Sequence, residues 1–161
     1  MIDHVTLRVR DLSASKTFYA AALAPLGYAV IAEYPEAVGL GVAGKPDFWL
    51  APDPAAAPQH VAFAATSRAA VDAFHAAGLA AGGKDNGAPG LRVHYHPDYY
   101  GAFVDDPTGH HMEAVIHTPP GGGKKKAAPR QAAPKKAAAR KPARKPAAKK
   151  KAARKPAKGR R

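Results

Sequence analysis

The sequence predicts an α+β domain of two successive βαβββ modules, followed by a disordered basic tail. Three observations carry this. Alternation of apolar and polar residues marks short strands, helical spacing after a capping residue marks two helices, and the order repeats at a displacement of 56 residues. That displacement lays His4 on His60, Val5 on Val61, Phe18 on Phe74, Ala21 on Ala77 and Gly27 on Gly83. The identities are few in an alanine-rich chain, but they keep the element boundaries in register.

Ile2 to Val9 alternates, with His4, Thr6 and Arg8 on one face and Val5, Leu7 and Val9 on the other. Asp11 or Ser13 suits the N-cap of a helix running to about Leu23, with Phe18 and Ala22 on a common face and Gly27 as its stop. Tyr28 to Tyr34, Ala37 to Val42 and Asp47 to Ala51 read as three short strands. The pattern restarts over Gln59 to Ala65, where His60, Ala62 and Ala64 share a face, and Thr66 or Ser67 caps a helix that turns Val71 and Phe74 inward. A Gly-rich loop, a strand near Arg92 to His96 and two strands within Ala102 to His117 complete the second module. Between those two strands, Asp106-Pro107-Thr108-Gly109 has turn chemistry: Asp suits the first position, Pro presets the second and Gly suits the fourth. The domain is therefore residues 1–118, with modules of about 1–55 and 56–118.

Composition breaks at Pro119-Pro120-Gly121-Gly122-Gly123. Of 25 Lys and Arg, 18 follow residue 120, and the seven before it share the domain with all 12 acids. The net +13 thus divides into a formal −5 on the domain and +18 on the tail. Residues 119–161 are nearly all Lys, Arg, Ala, Pro and Gly. Prolines at 129, 134, 142, 146 and 156 interrupt any helix, like charges repel, and no core can form. With no aromatic residue for base stacking, residues 121–161 are expected to bind nucleic acid nonspecifically through phosphates. Six engaged cations would give a log-log salt slope of about −5, at roughly 0.9 per phosphate.

The absence of cysteine excludes disulfides, thiolate metal sites and a cysteine nucleophile. No apolar run is long enough to span a membrane, and the opening MIDHVTLRVRDL alternates and carries charge, unlike a signal peptide. A cytoplasmic protein is predicted.

Glu113 poses the chemical question. It shares a strand face with His111, Val115 and His117, in the middle of a strongly apolar strand. A carboxylate there is costly unless a cation or a metal receives it. Arg8 and Arg92 are candidate ion-pair partners. The alternative comes from the repeat, which puts His4 and His60 at related positions on the first strand of each module. His4, His60 and Glu113 would then present two imidazoles and a carboxylate with open positions, a set that takes Fe(II), Mn, Zn or Ni.

The βαβββ repeat, the strand-borne His4 and His60, and the DPTGHHMEAV segment together resemble the vicinal oxygen chelate superfamily, which includes glyoxalase I, fosfomycin-resistance transferases, bleomycin-binding proteins and extradiol dioxygenases. The resemblance covers residues 1–118. It implies a cupped, mostly antiparallel sheet with helices outside, a homodimer, and a divalent metal on His4, His60 and Glu113 chelating a small oxygenated substrate, in a dioxygenase or a lyase/isomerase. His94 or His96 would move a proton. Phe103 stands where the extradiol signature has Tyr, so the hydroxyl would come from Tyr100 or Tyr99. Glyoxalase I adds a carboxylate from the last strand of the first module, where this chain has Trp49 or Phe48. Two other readings use the same residues: a metal-free small-molecule binding module of the bleomycin-resistance type, and a nucleoid-associated protein whose tail, similar to those of linker histones and bacterial histone-like proteins, is the main activity.

Overall fold

Two side chains start the two helices. Asp11 accepts the Ala14 N–H at 2.9 Å and Ser67 accepts the Ala70 N–H at 3.1 Å, so each supplies a partner for an N–H that the first helical turn leaves free. In the computed structural model, which describes residues 2–119, the order is β1 (Val5–Val9), α1 (Leu12–Ala22), a 3-10 turn (Ala24–Leu26), β2 (Ala29–Tyr34), β3 (Ala37–Val42), β4 (Lys45–Pro52), β5 (His60–Ala64), α2 (Arg68–Ala80), β6 (Lys84–Leu91), β7 (Tyr100–Asp105) and β8 (His111–Ile116). The expected tail lies outside the described residues. Gly27, at φ +91°, closes the first helical segment in the left-handed region that glycine adopts without strain.

The strands form two four-stranded sheets, β1-β4-β3-β2 and β5-β8-β7-β6. In each, the first strand of the module runs parallel to the last, and the remaining pairs are antiparallel. This is the βαβββ order predicted, twice, with mixed sheets and the helices outside. One apolar core serves both modules. Leu7, Val9, Phe18, Leu40, Phe48 and Leu50 come from the first, and Phe63, Val71, Phe74, Val104 and Met112 from the second. Aromatic edges join them: Phe48 meets Phe63 at 5.1 Å and Tyr28 meets Phe63 at 5.4 Å between ring centroids, with Tyr19 packed on Phe48 at 5.2 Å within the first module. Each such T-shaped pair adds about 0.5–1.5 kcal/mol beyond the area it buries.

One expectation is corrected. The strand placed near Arg92 to His96 is a series of turns, and the stretch read as a Gly-rich loop is β6, Lys84–Leu91. Gly87, Pro89 and Gly90 are poor strand formers, but β7 supplies a pairing edge and bulges on either side of Gly87 absorb the irregularity. Gly87 has φ +151°, and a Cβ there would lie 2.9 Å from Phe103 Cδ2. Glycine is what lets the Phe103 ring lie against this strand.

A second link between the modules is polar. The Tyr19 hydroxyl on α1 donates to Asp106 Oδ2 at 2.8 Å in the buried interior. Asp106 Oδ1 meanwhile accepts the Thr108 and His110 N–H groups at 2.8 and 2.9 Å, and the Gly109 N–H bonds the Asp106 carbonyl at 3.0 Å. The turn read from the sequence thus carries a buried acid that also reaches across the domain. Tyr19→Phe keeps the ring but removes the hydroxyl, and is expected to cost about 1.5–3 kcal/mol, the range for a hydrogen bond to a charged group. Urea denaturation of the full chain checks this; an unchanged midpoint would show that the link contributes nothing.

Candidate functional site

The helix-free face of the second sheet gathers most of the reactive groups. On β7 and β8, Ala102, Val104, Met112 and Ala114 are buried in the core shared with α2, so Gly101, Phe103, His111 and Glu113 take the opposite face. Glu113 is nevertheless only 3% exposed. Its Oε1 receives the Tyr99 hydroxyl, and its Oε2 lies 3.0 Å from His60 Nε2. The partner of the buried acid is therefore His60 with Tyr99; neither Arg8 nor Arg92 forms an ion pair with it. Gly101 permits the closeness, because a Cβ there would sit 3.2 Å from both Glu113 Oε1 and Tyr99 Cε1. Burial and the Glu113 carboxylate hold the Tyr99 hydroxyl well above the usual phenol range.

His4 lies elsewhere, with Nδ1 at 3.1 Å from Asp3 Oδ1 on an exposed segment. Among the described residues no three His, Cys, Asp or Glu side chains converge closely enough to hold a metal within one chain. His4 lines a cavity of about 190 Å³ between the modules, with Tyr28, Asp47, Phe48, Val61 and Phe63 also in its wall. Asp47 Oδ1 is buried there without a hydrogen-bond partner. Burial, then the Asp47 carboxylate, push the Tyr28 hydroxyl up to about 12.

Strand pairing identifies the first module's counterpart of Glu113. Thr6 pairs with Trp49 as Ala62 pairs with Glu113, so Trp49 is the equivalent residue, stacked at 6.3 Å on Tyr34. Of the expected proton carriers, His94 and His96 lie on the exposed turn between β6 and β7. The His94 ring packs on Tyr95 at 4.2 Å, and His96 Nδ1 accepts the Asp98 N–H at 3.1 Å. Tyr100 faces α2: its hydroxyl donates to Asp72 Oδ1 at 2.7 Å, and Arg68 lies 4.8 Å from its ring centre. The parity of β7 explains why Tyr99, and not Tyr100, reaches Glu113, since residues 99, 101 and 103 alternate with those facing the core. That signal was present in the sequence, because Phe103 and Gly101 have the same parity.

A pair not singled out from the sequence is His111 with Asp105. They are cross-strand neighbours, with Nδ1 and Oδ1 2.7 Å apart, and His111 also pairs with His60 across the parallel ladder. Asn86 donates to the same Asp105 oxygen at 2.7 Å. Only the register between three strands reveals this cluster. His110 points the other way, buried, with Nδ1 accepting the Gln59 N–H at 3.1 Å.

A mixed sheet built from repeated βαβββ units, with polar groups on its helix-free face, defines a class of protein that comparison makes specific. Residues 1–114 match the family model of the Glyoxalase/Bleomycin resistance protein/Dioxygenase superfamily, and the chain belongs to that superfamily. Among solved structures, a glyoxalase/bleomycin resistance protein from Albidiferax ferrireducens T118 is similar, at 33% identity and TM-score 0.62 over 73% of this chain and 98% of that one. A glyoxalase/bleomycin resistance protein/dioxygenase family enzyme from Burkholderia phytofirmans PsJN aligns at 21% identity and TM-score 0.58, over 73% and 98% of the two chains. Lactoylglutathione lyase from Agrobacterium tumefaciens aligns at 19% identity and TM-score 0.55, over 71% and 92%. A comparison with curated proteins found no match.

The Tyr99 environment has a consequence at high pH. A phenol whose value is raised by folding contributes stability that is present below about pH 10, the ordinary phenol value, and lost as the pH climbs from there toward the folded value. Tyr99→Phe should therefore lose less stability than the wild type above pH 10, and Glu113→Gln should bring the Tyr99 hydroxyl down in an absorbance titration of tyrosinate. Identical alkaline behaviour in all three proteins would contradict the contact.

Proposed function

We propose that the chain is a divalent-metal enzyme of this superfamily, of the dioxygenase or lyase/isomerase kind, acting on a small oxygenated substrate. The observation that carries the reading is the convergence of His60 Nε2 and Glu113 Oε2, 3.0 Å apart on the helix-free face. Imidazole nitrogen and carboxylate oxygen suit Fe(II), Mn, Zn or Ni. His60 and Glu113 would hold the ion, and His4 of a second copy would complete the set, which makes a homodimer part of the proposal. Bound there, the ion would supply Lewis acidity and a template for two vicinal oxygens. The Tyr99 hydroxyl fixes the orientation of the Glu113 carboxylate by donating to Oε1, a task the signature tyrosine cannot perform where Phe103 stands. His94 and His96, on the same turn as Tyr99, are the proposed proton carriers, while the Tyr100 hydroxyl is engaged by Asp72. Neighbours called lactoylglutathione lyase and dioxygenase family enzyme support these reaction classes through shared fold.

A second reading has its own observation. Both Glu113 oxygens already have partners, His60 and Tyr99, so the buried acid is satisfied without a metal. That favours a metal-free binding module of the bleomycin-resistance type. In either case we assign residues 121–161 a nonspecific attraction for nucleic acid, supported by their formal charge of +18.

Elemental analysis of the untagged full chain separates the readings. The enzyme reading predicts about one divalent metal per chain, lost in His60→Ala, Glu113→Ala and His4→Ala. No metal after reconstitution would leave the binding module. Metal lost only with His60 or Glu113 would remove His4 from the set.

A further inference from the structure

We infer that Arg92 is an anion anchor on the helix-free face, and that the ligand of this face is a small carboxylate with a flat, unsaturated body. The inference deepens the functional reading by naming a substrate class, and rests on that face being the ligand site. Arg92 leaves the end of β6, and its guanidinium carbon stands 5.4 Å from the centre of the Phe103 ring. Phe103 pairs across the ladder with Glu113, and its ring meets that of His60 edge-on at 6.4 Å. The cation, the acid and the imidazole therefore share one face.

Arg92 is half-buried and held in place, yet among the described residues no carboxylate lies within ion-pair distance of it. Its Nη2 donates to the Ala88 carbonyl at 2.8 Å, and its Nη1 has a longer contact of 3.5 Å to the Leu91 carbonyl. Two glycines make room for it. A Cβ at Gly90 would lie 3.0 Å from Nη1, and one at Gly87 would lie 3.4 Å from Nη2. A guanidinium has five N–H groups, so the two carbonyls leave donors over for a ligand. In a domain with twelve acids and seven cations, an oriented guanidinium without an acid partner is a poor source of stability and a good receptor for an anion.

The planar fork selects carboxylate over a single point charge. The flat body follows from the walls, because Phe103, His60 and the Tyr99–His117 pair, 4.8 Å between ring centroids, offer ring faces and edges. In the metal-free chain the ligand's charge would sit beside Arg92 while Glu113 stays bonded to His60 and Tyr99, which limits repulsion between the two anions.

The test is a fluorine NMR titration of the metal-free full chain with 4-fluorobenzoate and its neutral analogue 4-fluorobenzamide. The basic tail is common to every variant, so any weak attraction it has for benzoate cancels in the comparison. The wild type is expected to prefer benzoate by about tenfold or more, the scale of a charge-assisted hydrogen bond. Arg92→Gln should lower the preference about tenfold, to what the tail alone supplies, Arg92→Lys should keep part of it, and Gly90→Ala, which crowds Nη1, should weaken it. A preference undiminished by Arg92→Gln, or a wild type that does not distinguish the two compounds, overturns the proposal. Metal content measured on Arg92→Gln should match the wild type. Absence of metal in both, with a benzoate preference in the wild type that Arg92→Gln diminishes, would sink the metal reading and leave the anchor standing.

Discussion

The hydrogen bond from the Tyr19 hydroxyl to Asp106 ties the helix of the first module to the last turn of the second. A buried carboxylate is tolerable only when its lone pairs are filled, and Asp106 fills them from three sources: the first module's tyrosine, the N–H groups of its own turn, and the Thr108 hydroxyl. The same residue therefore shapes the turn and docks it. Because that turn sets the start of β8, it also sets the register that puts Glu113 rather than its neighbours on the helix-free face. A slip by one residue would move Glu113 into the apolar core and Met112 out of it. Burial raises the Tyr19 hydroxyl well above the phenol range, so the donor keeps its proton throughout the neutral range.

The two modules share a register but divide the chemistry. Trp49 and Glu113 occupy equivalent places beside β1 and β5, and the surroundings follow from that difference. In the first module, Gly39 leaves room for the indole, as a Cβ there would lie 2.9 Å from Trp49 Cη2. In the second, Gly101 leaves room for a carboxylate and a phenol. The repeated topology thus presents two similar faces, one aromatic and one polar. The third expected donor, His4, lies near the junction of the modules, which is why the proposed metal set draws on a second copy.

Much of the fold was legible because its signals are local. Alternation placed β1 and β5, Asp11 and Ser67 were among the caps offered, and the Asp106-Pro107-Thr108-Gly109 turn is where its chemistry put it. β6 was hidden because its residues favour loops, and only pairing with β7 makes them a strand. The site was legible where a contact joins β5 to β8, as His60 and Glu113 do, and obscure where it depends on how β7 pairs. Tyr99 and the His111–Asp105 pair rest on the register of β7 with β8, and Arg92 over Phe103 on that of β6 with β7.

The central claim is that the helix-free face of the second sheet, centred on His60 and Glu113, receives the metal. Histidine-labelled NMR of the full chain during substoichiometric Mn(II) addition tests it directly, because paramagnetic broadening reports proximity and all eight histidines precede the tail. The account predicts that the His60 ring signal disappears first, while His75, paired with Asp85 at 2.9 Å, stays sharp. A His60 signal that persists while other histidines broaden would contradict it.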